Sequence, residues 1–376
     1  MLAQKHGVLL ITEWEASSFD SLVLRNITTP ERAVYILGPE ACSISKSTFE
    51  NIHSTYTSPD TPGDDSWGGA LFSIRVWESL SITNSIFRNF SVQNNQPTLH
   101  ISRRYNNIPV DIEVNNCLFE NIRTNYVIPI AFHNNIYGEY RVSNCTFYDN
   151  YGDGAAVGIY GNVVMRNNIF LNPDASHEIK MHNAIPDVNV IGNLDFDYNN
   201  IPGGINGIYN PDPRNTLIYG QHNISSDPTF ASTIDGDPDY LRLAAGSPCI
   251  NAGTPDISGL NLPPFDLDGN WRVWDGRIDM GCYEYGSEPW VSNDDPIIPQ
   301  PLLMSLDQNY PNPFNPSTTI SFTIPASSHC RLDVYNMRGQ KVTTLLNDNR
   351  MAGKHSVMWN GLDDQGSKVS SGIYIY

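Results

Sequence analysis

The residues best equipped for chemistry fall in one short stretch. His100, Arg103, Arg104, Asp111, Glu113 and His133 lie within 34 positions of each other. A base beside positive groups would suit proton abstraction from a carbon next to a carboxylate. The local pattern places them. In Leu99-His100-Ile101-Ser102 the apolar residues alternate inward, so His100 and Ser102 are expected to face solvent, and Arg104 continues that phase. Asp111 and Glu113 alternate with Ile112 and Val114 and are expected outside, on the next turn of chain. The alternative is that all of these are solvated outward strand residues, which need no chemical role. Tyr56, Trp67 and Tyr105 could stack on neutral sugars or pack between loops, whereas Trp77 follows the alternation of Val76 and reads as packing.

The elements that would position these residues come from a repeat. Five segments align on a phenylalanine: CSISKSTFEN, LSITNSIFRN, IEVNNCLFEN, YRVSNCTFYD and VVMRNNIFLN, with Phe49, Phe87, Phe119, Phe147 and Phe170. Seven before it stand Cys42, Leu80, Ile112, Tyr140 and Val163; five before stand Ile44, Ile82, Val114, Val142 and Met165. Both sets point to one side of a strand, since side chains alternate. The next inward position falls three residues on, one out of phase, so the chain must turn a corner. Lys46, Asn84, Asn116, Asn144 and Asn167 occupy that corner, and Asn tolerates the left-handed backbone of a sharp bend. A looser copy, VIGNLDF, ends at Phe196.

Repeats of 20 to 40 residues, each burying one side, describe a stacked solenoid. Parallel stacking would set each Phe over the next and each corner Asn in a ladder. The expected fold is all-β: a right-handed parallel β-helix over residues 1–225. These repeats resemble those of the pectate-lyase-like superfamily. Propeller blades and leucine-rich repeats have different signatures, and neither occurs. Cys117 and Cys145 take the same inward position on consecutive turns, as a stacked disulfide or as two free thiols acting as small apolar fillers.

The segment 226–286 reads as a cap. It resembles the region that follows bacterial β-helices in surface proteins of varied C-terminal anchor, on Ser247, Pro248, Ile250, Asn251, Gly253, then Asp266, Asp268, Gly269, Arg272, then Asp279, Gly281, Glu284. Asn251 stands where that family has Asp. Asp266-Leu267-Asp268-Gly269-Asn270 has its Gly at the fourth position, where a calcium-binding EF-hand loop requires it at the sixth. An Asx turn is expected there, and calcium is only an alternative. Arg272 or Arg277 could pair with Asp279 or Glu284. A Cys249–Cys282 bridge would suit an extracellular protein. No CxxC or His/Cys spacing points to zinc, so no metal or other cofactor is expected.

Residues 287–304 carry four prolines and no Lys or Arg, and read as a stiff linker. In 305–376, Ile320, Phe322 and Ile324 alternate as a half-buried strand, and further strands flank an Asn336-Met337-Arg338-Gly339 turn, which predicts a small Ig-like β-sandwich. This part resembles the type IX secretion sorting domain and its flagellar-hook-cap Ig-like relatives. The carriers are Asn309-Tyr310-Pro311-Asn312-Pro313-Phe314-Asn315-Pro316, then Gly339, Trp359, Gly361 and Gly372. The family's final strand is missing after Tyr376, and the first residues lack the apolar length of a signal peptide; both ends read as truncated.

The net charge of −18, nearly all of it before residue 286, repels phosphate backbones and polyanionic glycans. Nucleic acid is therefore not an expected partner. No stretch approaches the roughly 18 apolar residues of a membrane-spanning helix. The resemblances imply a secreted or outer-surface protein whose C-terminal domain meets the type IX machinery and whose β-helix is a glycan-binding or adhesive rod. A polysaccharide lyase or hydrolase, and a structural spacer, are the alternatives.

Overall fold

In the computed structural model the described residues are 9–11, 16–29, 33–37, 40–55, 71–76, 78–92, 97–103, 110–124, 128–133, 138–182, 192–289, 305–306, 308–309, 311–314, 316–324, 328–350, 353–370 and 372–376. They form two compact units, the first built from residues 1–255 and 263–290 and the second drawn chiefly from 291–376. Apart from one 3-10 turn, Gly204–Gly207, every regular element among them is a β-strand.

The first unit is a parallel β-helix. One coil shows its construction: Leu99–Arg103 lies in a first sheet, Asp111–Asn115 in a second and Leu118–Thr124 in a third. Every strand pairs in parallel with its counterparts from the coils before and after, which gives two eight-stranded sheets and one of six strands. The inward residues stack in register. Phe49, Phe87, Phe119, Phe147 and Phe170 are aligned along the third sheet, with neighbouring ring centroids 4.9–5.2 Å apart and nearly parallel planes. All five rings are buried. Inside the same core the Tyr140 hydroxyl donates to the Ile101 carbonyl at 2.9 Å, so its polar end is satisfied.

The corner between the second and third sheets is the left-handed bend that the repeat requires. Lys46, Asn84, Asn116, Asn144 and Asn167 have φ between 47° and 59°. Asn116 Nδ2 donates to Asn84 Oδ1 at 2.8 Å, and Asn167 Nδ2 to Asn144 Oδ1 at 3.0 Å. A second left-handed position lies two residues past each Phe, at Asn51, Asn89, Asn121 and Asp149. It bends the third-sheet strands again and returns Ile52, Phe90 and Ile122 to the interior. These asparagines also form a ladder, from Asn26 through Asn51 and Asn89 to Asn121. The position just inside the corner changes character along the rod. Ser47 and Ser85 give way to Cys117 and Cys145, then to Asn168, Asn199 and Asn223, whose Oδ1 atoms accept successive backbone N–H groups. Cys117 and Cys145 are free buried thiols that bond to backbone carbonyls.

One expectation is corrected by the stacking. Phe196 does not extend the phenylalanine column. It sits in the second sheet opposite Met165, because the corner on that coil falls after it, at Tyr198. The segment after Ile224, read from the sequence as a cap, covers one side of the coils. It runs back along the outer face of the third sheet, where Leu241, Cys282 and Tyr283 pack on Leu118, and Leu243, Cys249 and Met280 pack on Ile169. Those outward leucine and isoleucine positions would otherwise be exposed apolar surface.

The second unit holds two three-stranded antiparallel sheets. Thr318–Ile324 lies between Ser305–Leu306 and Gly353–Trp359, and Ser328–Asn336 between Lys341–Arg350 and Tyr374–Ile375. Ile320, Phe322, Ile324, Leu332 and Leu346 form its core. Asn336 Oδ1 accepts the N–H groups of Arg338 and Gln340, and Gly339 has φ 72°, which closes the turn expected from the sequence.

Substitution separates the two contributions to the corner. Asn144→Ala should destabilise the β-helix by about 2–4 kcal/mol, through the left-handed penalty and the lost ladder bonds. Asn144→Gly should cost less, since glycine takes that φ freely. Phe119→Ala should cost about 3–5 kcal/mol. Equilibrium urea unfolding of the three variants checks the ranking.

Candidate functional site

Three places gather chemically capable side chains. The first is the outer face of the first sheet, where the sequence places His100. His100 does alternate with the inward Leu99 and Ile101, but it is only 1% exposed, and Ser102, Ser73 and Arg75 on the same face are buried too. The expected solvent-facing histidine is therefore packed. Burial of both sheet faces removes the hydrophobic-in, polar-out contrast on which the alternation rule relies. In register, Ser73, His100, Ala131, Gly158, Lys180 and Tyr209 form one outward row.

Asp111 and Glu113 do not join His100. They lie on the strand Asp111–Asn115 of the same coil, but in the second sheet, so they face a different side. The expectation that they open the next turn of chain is corrected: one coil contains all three strands, and the corner repeat marks only its second and third sides. Arg104, Tyr105, Tyr56, Trp67 and Trp77 lie outside the described residues, as do the side chains of Arg103 and His133.

Sequence reasoning missed the groups at the far end of the outward face. Tyr160 and His182 stack with centroids 4.0 Å apart, His177 lies 5.0 Å from the Tyr209 ring, and the Lys180 ammonium is 5.9 Å from that same ring. Burial pushes the Lys180 ammonium pKa down. The signal was present in Ile179-Lys180-Met181-His182, an alternation with Ile179 and Met181 buried inside. The phenylalanine repeat covers the second and third sheets and says nothing of the first.

The second place is the flank segment, whose centre is Arg272. Its side chain is fully buried and donates from one terminal nitrogen to the Asp279 and Gly281 carbonyls at 2.9 and 2.8 Å. That nitrogen also reaches Asn144 Oδ1 of the corner ladder at 3.4 Å. Asp279 accepts the N–H groups of Asn251 and Tyr285, each at 2.6 Å. Asp266 accepts those of Asp268, Asn270 and Glu284 at 2.8–3.0 Å, which is an Asx-type turn. Glu284 approaches Arg272 only to 3.7 Å, beyond hydrogen-bond reach. Burial therefore outweighs the pairing, and the Glu284 carboxyl is pushed up to about 9. Asp266 and Asp279 are raised by burial as well. Cys249 and Cys282, which a bridge would join, are free; they sit in separate apolar clusters, and Cys249 accepts from Asn200 while Cys282 bonds to Thr146. Arg277 turns to the carbonyls of Gly253 and Ala252 instead of pairing with Asp279 or Glu284.

The third place is the motif of the second unit. Phe314 packs on Trp359 at 5.2 Å and Trp359 on Tyr374 at 5.0 Å, beside a hollow of about 550 Å³ that Asn312, Pro313, Pro316 and Gly372 also line. Asn309 donates to the Thr318 hydroxyl at 2.9 Å and to the Pro311 carbonyl, and Trp359 Nε1 to the Leu362 carbonyl. These bonds pin the extended proline-rich entry to the first long strand. Asn315 lies outside the described residues.

Residues 312–376 match the family model of the FlgD Ig-like domain. No curated protein and no solved structure is matched by the chain. Among the described residues no group of His, Cys, Asp and Glu is arranged to hold a metal ion, and no helix is long and apolar enough to cross a membrane.

The flank carries a pH prediction. Glu284 is held protonated in the folded chain and ionises near its ordinary value of 4.5 when unfolded. The stability this lends is complete below that value and is lost as the pH rises toward about 9. Melting of the first unit should fall between pH 5 and pH 9, and Glu284→Gln should flatten that fall. An unchanged slope in the variant would assign the dependence to other groups.

Proposed function

We propose that the protein works on the outside of a bacterial cell as a non-catalytic rod that binds glycans, with its C-terminal Ig-like domain serving export and surface attachment through a type IX secretion route. The carrying observation is the combination in one chain of a stacked parallel β-helix and a domain of the FlgD Ig-like kind. A solenoid presents an extended face without any special catalytic residue. The Asn-Pro-rich entry around Asn312, Pro313 and Phe314, with Gly339, Trp359 and Gly372, supports the sorting role through its resemblance to secretion sorting domains. The net charge of −18 favours neutral ligands over uronates.

The alternative is a lyase or hydrolase on the β-helix face. Its sequence candidates are divided, since His100 is packed in the first sheet and Asp111 and Glu113 belong to the second. What favours keeping this second reading is Lys180, a cation of lowered pKa 5.9 Å from the Tyr209 ring, on the sheet face that also carries the stacked Tyr160 and His182. Fold analogy carries neither reading by itself.

Purified full chain, incubated with neutral and acidic polysaccharides and followed by mass spectrometry, separates the two. Bound, intact glycan is the expected result. Shortened or unsaturated products would overturn the non-catalytic reading and direct substitution to Lys180 and His182. The export role is tested by appending the chain to a cleavable export signal in a bacterium with type IX secretion. Surface material should depend on residues 305–376, and equal surface yield without them would contradict the sorting role.

A further inference from the structure

The flank segment encloses a pocket of about 430 Å³ lined by Ile250, Asn251, Trp274, Asp275, Glu284 and Tyr285. Tyr285 is 41% exposed and Trp274 is half-buried, so two aromatic side chains border an open hollow. Asp275 is exposed at the edge of the hollow and offers a hydrogen-bond acceptor beside the two rings. The backbone N–H groups of Asn251 and Tyr285 are both bound to Asp279, which fixes the two walls relative to each other.

We propose that this pocket is a binding site for one ring of a neutral saccharide. The aromatic side chains offer a surface for the apolar face of a pyranose. The Asp275 carboxylate accepts its hydroxyls, and Ile250 supplies an apolar wall. Asp275 at the rim and Asp279 behind the wall set a negative field that excludes uronates. The site lies on the flank, away from the first-sheet face that carries His100, and no step of catalysis is asked of it. This inference rests on the glycan-binding reading and gives it a location.

The test titrates the full chain by calorimetry with hexasaccharides of β-1,4-linked glucose, mannose and xylose and of α-1,4-linked glucose, with hexagalacturonate as the anionic control. Trp274→Ala and Tyr285→Ala are compared with the parent chain, and circular dichroism melting verifies their fold. Tyr285 is exposed enough that its removal should leave the fold intact. Binding of at least one neutral hexasaccharide, weakened tenfold or more in both variants, is expected. Equal binding by parent and variants would overturn the pocket while leaving the glycan-binding reading in place. Absence of binding to every neutral hexasaccharide, or binding of hexagalacturonate alone, would overturn both.

Discussion

The structure depends on a backbone constraint: at the corner after the second-sheet strand, coil after coil from Lys46 to Tyr198, the chain must enter the left-handed region. Without that bend the inward residues five and two positions before each phenylalanine would point to opposite faces. With it, the second and third sheets share one interior, and the phenylalanines fall in a column. Asparagine meets the constraint at lower cost than other side-chain-bearing residues, because its amide bonds locally and to the coil beside it. The second ladder, through Asn51, Asn89 and Asn121, solves the same problem again within the third sheet.

The flank segment answers a different demand. Stacked coils leave outward apolar residues on the third sheet, among them Ile86, Leu118 and Ile169, and the segment buries them. Being poor in regular structure, it satisfies its backbone through side chains instead: Asp266 and Asp279 each collect two or three N–H groups. Arg272 ties that turn network to the asparagine corner, so the flank and the coils share hydrogen bonds as well as apolar contact. The same economy that buries Glu284 leaves Trp274 and Tyr285 around a hollow.

Much of this was legible in the residues. The Phe column, the corner and the strand pair around it follow from a two-residue alternation broken by a three-residue step, which is a local signal. The Ig-like strands follow from Ile320, Phe322 and Ile324 and from the Asn336 turn. The first sheet was not legible in the same way, since it lies at the ends of connections of varied length and repeats without a fixed distance from the phenylalanine. Alternation alone therefore assigns His100 to solvent and does not single out Lys180 or His182. The path of the flank was also hidden, because contacts such as Tyr240 to Glu120 join residues 120 positions apart through chemistry that no periodicity encodes. Phe196 is ambiguous for a related reason: an aromatic side chain fits the second sheet as well as the third.

Amide hydrogen–deuterium exchange over the full chain tests the stacked-corner account most directly. The N–H groups that bridge successive coils at Asn116, Asn144, Cys145 and Asn168 should be among the slowest to exchange, with protection falling toward the first coils. Fast exchange at these corner amides, with strong protection confined to the Ig-like unit, would contradict it.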